Sequence, residues 1–236
     1  MIIRVLSDIH GNLAALKAVL SDSAGALADS TVCLGDIVGY GSHPVECINV
    51  IRKECHVVVA GNHDQGAAGL IGVSNFNRDG QTAIEWTRTQ ISLEQVDWIS
   101  ALPLHTFYYG ISFSHASMKD PQSWIYILNR QSAVDAVLAT GEYLSVYGHT
   151  HVPMQWDRLG SCSDKPAGTF SDYSLVNCGS VGQPRDGDPR AAYLLINTEE
   201  RTFRHVRVEY NVQSAANAIL EAGLPENLAK RLHLGK

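Results

Sequence analysis

The sequence predicts an α/β protein (α+β by some schemes) in which two mixed sheets pack face to face with helices outside. Over the first hundred residues, short Val/Ile/Leu runs alternate with segments of helical period, as in parallel βαβ units. After Pro103 the chain reads as successive strands separated by turn residues, as in antiparallel hairpins. The length of 236 residues and the 45% hydrophobic composition suit a single domain, residues 1–236, able to bury most of its apolar surface.

IIRVLS, from residue 2, is a strand, and NLAALKAVLSDS has apolar residues at helical spacing with Asn12 placed to cap it. TVCL is the next strand. A helix then begins near His43, with Pro44 suited to its first turn. HVVVA is a third strand. Residues 80–101 read as two helices, the second starting at Ser92 with Glu94 and Gln95 close behind, and Trp86 and Trp98 are assigned to packing. Beyond Pro103 the strands are LHTFYYG, ISFSHA, YLSVYG, VPMQWDRL, TFSDYSLVNC, AAYLLIN and TFRHVRVEY, interrupted by one helix over 130–139. The last 25 or so residues have an amphipathic helical pattern. Gly160 to Asp172 reads as an exposed hairpin loop.

Net charge is −6 and no Lys/Arg block occurs, so the basic stripe needed to neutralise a nucleic-acid backbone is missing. Phosphate recognition, if any, must be local. No apolar run approaches the roughly 18 residues of a membrane span, and the N-terminal residues lead into a strand without a signal-peptide pattern. The five cysteines include no C-x-x-C pair, and Cys33 and Cys178 lie in apolar runs, as buried free thiols do. A cytoplasmic setting follows as the expectation. Oligomeric state is left open, with edge strands near the C-terminus available for a dimer.

Five apolar runs end in ligand-type residues: IIRVLSDIHGN, TVCLGDIVGYG, VVVAGNHD, ISFSHA and LSVYGHTH. Strands closing this way gather Asp8, His10, Asp36, Asn62, His63, His115, His149 and His151 at one sheet edge, where open α/β sheets bind ligands. In extended chain, residues i and i+2 project to the same side, so Asp8 with His10, and His149 with His151, can each present two ligands to one point. Gly11, Gly35, Gly61 and Gly148 fit tight turns beside them. An oxygen-and-imidazole set without Cys suits Mn, Fe, Zn or Ni, whereas Ca would take more oxygen. The other histidines, His43, His56, His105, His205 and His233, read as core or surface residues.

These five blocks, in this order, resemble the calcineurin-like metallophosphoesterase superfamily, whose pattern is D-x-H, G-D, G-N-H-D/E, a separate His, and G-H-x-H. Asn177 to Tyr193 (NCGSVGQPRDGDPRAAY) is similar to the N-P-G-S-V segment of its small bacterial phosphodiesterase branch, with Cys178 in place of Pro. The resemblance implies a four-layer α/β/β/α sandwich of two mixed sheets with flanking helices. It implies two divalent transition-metal ions, one held by Asp8, His10 and His151, the other by Asn62, His115 and His149, with Asp36 bridging. Two such ions against two carboxylates and one hydroxide leave a net positive site for an anionic phosphoryl group.

By resemblance the reaction is attack on phosphorus by a metal-bound hydroxide, with His63 over the leaving-group oxygen as general acid or as stabiliser of charge on phosphorus. Asp64 either orients that imidazole or caps a turn. The arginine of the protein-phosphatase block G-D-x-V-D-R-G is missing from Gly35–Gly41, which argues against that branch and against symmetrical diadenosine tetraphosphatases. Arg185 and Arg78 are the candidate phosphate contacts, or else surface ion pairs. The expected activity is hydrolysis of a small phosphodiester, with phosphomonoesters and dinucleoside polyphosphates as rival substrates. Outside the enzyme class, a protein-binding scaffold on the same fold is the alternative. No nucleic-acid polymer or membrane partner is expected.

Overall fold

In the computed structural model, which describes residues 1–236, strand β1 (Ile2–Leu6) is buried on both faces. Ile3 and Val5 point into an apolar layer shared with Phe113, Val146 and Val176, while Leu6 points the other way into a cluster with Leu16, Val19 and Ile48. This period-two partition makes β1 an interior strand between a second sheet and a helix layer.

The chain continues through α1 (Leu13–Ser21), β2 (Ser30–Cys33), α2 (Pro44–Glu54), β3 (Val57–Val58), α3 (Asn62–Ala67), α4 (Arg78–Gln90) and α5 (Leu93–Ser100). It then forms β4 (His105–Tyr108), β5 (Ile111–Ser114), a 3₁₀ turn (Pro121–Ser123), α6 (Arg130–Thr140), β6 (Leu144–Tyr147), β7 (Met154–Trp156) and β8 (Cys162–Ser163). The last elements are β9 (Ala167–Thr169), β10 (Ser174–Asn177), β11 (Ala191–Asn197), β12 (Thr202–Val208), α7 (Val212–Glu221) and α8 (Glu226–Leu234).

The strands form two six-stranded mixed sheets, ordered β3-β2-β1-β11-β12-β9 and β4-β5-β6-β10-β7-β8. Parallel pairing joins β1, β2 and β3 in the first sheet and β5, β6 and β10 in the second; the flanking strands run antiparallel. The expected sandwich of mixed sheets with flanking helices is the observed one, with α6 packed on the outer face of the second sheet through Ala133, Ala136 and Val137. No helix is long and apolar enough to cross a membrane.

Local chemistry sets the helix starts. The Asn12 side chain accepts the Ala15 N–H at 3.1 Å, Pro44 occupies the first turn of α2, and Ser92 and Gln95 form a reciprocal capping box on α5. Trp86 and Trp98 are partly buried against the helix clusters, as expected. All five cysteines are free, with Cys33 and Cys178 buried.

Three segments differ from the sequence reading. HVVVA pairs only through Val57–Val58, because the chain turns at Ala60 and GNHD opens helix α3. Gly160–Asp172 is not a simple loop, since it contributes β8 and β9. TFSDYSLVNC is not one strand: Thr169 pairs in the first sheet and Ser174–Asn177 in the second. Phe170, buried between the sheets, anchors this crossing, and Tyr173 at φ +66 turns the chain.

Candidate metal centre

Asp8, Asp36, Asn62, His115, His149 and His151 all follow the carboxyl ends of parallel strands, from β1, β2 and β3 of one sheet and β5 and β6 of the other. The two sheets therefore deliver half-sites that meet. The loops after β1 and β2 are joined by Asp8 N–H to Gly35 O (3.0 Å) and His10 N–H to Asp36 O (2.9 Å). The His149 N–H donates to Asp8 Oδ2 at 3.1 Å, linking the sheets.

The convergence of Asp8 with His10, and of His149 with His151, has a different origin from the one expected. None of the four is in extended backbone. Their φ values are +54, +48, +65 and +61, and Asp36 (+50) and Tyr40 (+58) share the left-handed region. Six non-glycine residues in that disfavoured region around one site is the pattern of strain held at a functional centre. Two glycines make the packing possible. A Cβ on Gly61 would lie 2.1 Å from Asp36 Oδ1, and one on Gly39 (φ +86) would lie 2.3 Å from His63 Nδ1.

The side chains form three overlapping groups, Asp8–His10–His151, His10–Asp36–His63 and Asp36–His115–His149, and each group has ligand atoms within 4.8 Å of one another. Asp36 Oδ2 lies 3.6 Å from His10 Nε2 and 3.3 Å from His115 Nε2. His151 Nε2 lies 3.2 Å from Asp8 Oδ1. All of these residues are buried.

A backbone carbonyl fixes each ring. Nδ1–H of His10, His115 and His151 donates to Val38 O (3.2 Å), Leu34 O (2.9 Å) and Gln183 O (2.5 Å), and Nε2–H of His149 donates to Trp124 O (3.0 Å). The remaining nitrogens are aimed inward, with His10 Nε2 3.3 Å from His151 Nε2 and His115 Nε2 3.1 Å from His149 Nδ1. Ring nitrogens facing at such distances share a proton or a metal cation, and a carbonyl on the far nitrogen is how metal-ligating histidines are oriented. Asp8 Oδ1 and Asn62 Oδ1 are also buried without a hydrogen-bond donor. These residues fit bound divalent metal.

Burial pushes His63 down to about 4 and His149 to about 3, and holds His10 and His151 well below the ordinary imidazole value. Burial also raises Asp8 to about 6, whereas the surrounding histidines hold Asp36 well below its usual range in spite of burial. For His115, burial is outweighed by the Asp36 carboxylate, and the ring is raised to about 9.

His63 heads α3 with its N–H on Asp36 Oδ1 (2.9 Å), and its ring packs against Tyr40 and Phe76. Asp64 does not reach the His63 ring. Its Oδ1 accepts from Ile37 and Val38 N–H and its Oδ2 from Gly61 N–H, so of its two alternatives it takes the turn cap. Arg185 is brought to the rim: its backbone N–H bonds His151 O, its guanidinium lies 6.0 Å from the Tyr40 ring centroid, and its charge lowers the pKa of His10, His63 and His151. Arg78 is exposed in the first turn of α4 and makes no side-chain contact with the cluster. The other histidines have local partners: His43 bonds Ser42, His56 accepts the Thr31 N–H, His105 bonds Ser112, His205 donates to Asn177 O, and His233 is exposed on α8.

The Asn177–Tyr193 segment braces the centre. Asn177 Nδ2 donates to Gly148 O, Ser180 Oγ to Asp8 O, and Gln183 supplies the carbonyl on His151. Cys178 N–H donates to Tyr147 O at 3.0 Å, a bond that proline in this position could not make. Sequence reasoning missed Trp124 and Tyr126; the latter stacks on His149 at 3.9 Å. Their one signal was the aromatic pair in the short apolar run WIYIL, between PQS and Asn129. Beside His10 and Tyr40 opens a cleft of about 400 Å³, bounded by Ser42, Gln183, Asn217 and Ile219.

Residues 1–201 match the calcineurin-like phosphoesterase superfamily domain. The chain is 39% identical over 241 residues to the uncharacterized protein MJ0912 of Methanocaldococcus jannaschii, covering 99% of this chain and 98% of that one. Among solved structures it is similar to a metallophosphoesterase from Sphaerobacter thermophilus, with TM-score 0.91, 35% identity and coverage of 100% and 99% of the two chains. It also shares its fold with the hypothetical protein PH1004 from Pyrococcus horikoshii OT3, with TM-score 0.82, 19% identity and coverage of 100% and 98%.

Proposed function

Because the chain belongs to the calcineurin-like phosphoesterase superfamily, we propose that it hydrolyses small phosphodiesters at a centre of two divalent transition-metal ions. The observation that carries this reading is the sharing of Asp36 between two groups of ligand atoms, one with His10 and one with His115 and His149. A carboxylate between two imidazole sets is what a two-ion clamp requires. Bound ions would supply Lewis acidity toward the phosphoryl oxygens and a nucleophile at neutral pH.

The chain's own residues divide the remaining tasks. Asp8, His10 and His151 would hold one ion, and Asn62, His115 and His149 the other. Mn, Fe, Zn and Ni all suit this donor set. His63 stands beside the cluster with Nδ1 buried and free of any hydrogen bond, so its ring can serve the leaving-group oxygen as donor or as charge stabiliser. Asp64 acts on it indirectly, by fixing the turn at Gly61 from which His63 projects. Arg185 adds positive charge at the rim. The adjoining cleft suits a small molecule rather than a polymer.

Hydrolysis of bis-p-nitrophenyl phosphate, p-nitrophenyl phosphate and a dinucleoside polyphosphate in Mn²⁺ tests the proposal. Diester turnover supports it, and monoester preference would transfer the assignment to a phosphatase. No turnover on any of the three, with metal bound, would favour the scaffold reading.

A further inference from the structure

Arg231, on the last turn of α8, lies outside the residues matched to the family domain, yet its guanidinium carbon is 5.9 Å from the centroid of the Tyr40 ring. Arg185 lies 6.0 Å from the same centroid. Tyr40 in turn packs on His10 (4.5 Å between centroids) and on His63 (4.4 Å). Two cations from distant parts of the chain thus meet at one aromatic ring that touches the metal cluster.

Arg185 has no carboxylate within ion-pair distance, although other surface arginines of this acidic protein do. Arg185 Nη2 reaches the neutral amide oxygen of Gln183 at 3.2 Å, its side chain also meets Tyr126, and its Nε is buried without a partner. Arg231 is anchored by Nε–H to Lys236 O at 2.8 Å. Burial, and next the charge of Arg185, pull its pKa down, so the two guanidinium groups beside Tyr40 repel one another. Arg185, half-withdrawn from water beside a second guanidinium and with a donor left unused, forms a site that an anion would relieve. A phosphate group, with several oxygens for forked donors, matches guanidinium geometry best.

We propose that Arg185 and Arg231 form a cradle for a second phosphate group, carried by the substrate beside the phosphate held at the metal cluster. This rests on the phosphoesterase reading and narrows its substrate class to esters bearing more than one phosphate. Tyr40 sets the spacing between the cradle and the ligands His10 and His63. Arg185, held by its backbone bond to His151 O, and Arg231, carried by α8, both lie against the Tyr40 ring.

Binding of inorganic pyrophosphate and of orthophosphate to the Mn²⁺-loaded protein, by calorimetry at fixed free Mn²⁺, reads the cradle without turnover. The wild type should prefer pyrophosphate, and Arg231→Gln should reduce that preference by about tenfold, the loss expected for a charge-assisted contact. Arg231→Lys keeps the charge and should retain most of the preference. An unchanged preference in Arg231→Gln, or an equal loss in both variants, would overturn the cradle. Turnover of bis-p-nitrophenyl phosphate by the same wild-type protein separates the two ideas. If the diester is untouched while the pyrophosphate preference behaves as expected, the hydrolytic reading fails and the cradle stands.

Discussion

Replacing Asp36 with Asn keeps the side chain's size and can keep its acceptance of the His63 N–H, but it removes the one charge shared by both halves of the centre. In the folded protein that carboxylate lies 3.3 Å from His115 Nε2 and 3.6 Å from His10 Nε2, so an ion bound by either ring would be in its immediate vicinity. At about 4 Å and an effective permittivity of about 20, one pair of unit charges is worth roughly 4 kcal/mol. Even this single-charge figure corresponds to a loss of about 10³-fold in affinity for each ion. Metal content by mass spectrometry after dialysis against buffered Mn²⁺ should therefore fall from two ions per chain toward none. Diester hydrolysis should fall with it, while the circular dichroism spectrum remains native. A variant that keeps two ions at wild-type affinity would refute the bridging role.

His63→Ala should keep its metals and lose on the order of 10²–10⁴ in rate on a diester with a poor leaving group, and much less with nitrophenolate; equal losses on both would remove the acid role. Gly39→Ala should copy that pattern, because its Cβ would lie 2.3 Å from His63 Nδ1 at a backbone φ of +86, and unchanged kinetics would show that the ring position is unimportant. The chelated protein should lose thermal stability as pH rises from about 7.5 to 8.5. His115 is raised to about 9 by Asp36 against the effect of burial, so its contribution is complete below the unfolded imidazole value and is lost as pH climbs through 9. Asp64, raised to about 7 by burial and Asp36, acts in the same direction. His10, His63, His149 and His151 are neutral in the fold and titrate near the ordinary imidazole value only in the unfolded chain, so they oppose this slope near pH 7 and hardly above it. The slope should reach at most about 1.4 kcal/mol per pH unit, and a melting temperature that rises over this range would contradict the assignment.

Much of the centre was legible because strand and ligand are adjacent in the chain. A Val/Ile/Leu run that ends at Asp8, Asp36, His115 or His149 is a buried parallel strand ending at the functional edge, and period and composition reveal both. The starts of α1, α2 and α5 were equally readable, since Asn12, Pro44 and the Ser92–Gln95 pair act within one turn of their own backbone.

Long-range pairing was not legible. Whether Thr169 and Ser174 belong to one strand or to two sheets depends on Phe170 finding the inter-sheet core, which no local pattern encodes. The left-handed backbone at Asp8, His10, His149 and His151 likewise depends on contacts between loops that are remote in sequence. Asp64 could orient His63 or cap a turn, and only the folded loops, by offering Ile37, Val38 and Gly61 N–H, decided for the cap. Arg231 carried no signal, being one charged residue on an amphipathic helix near the C-terminus. The amino-acid sequence by itself determined the ligand types and the strands that carry them, because those are properties of neighbouring residues. Tertiary structure decided which carbonyl orients each imidazole and which arginines face the cluster, because such contacts exist only once both sheets have closed on one another.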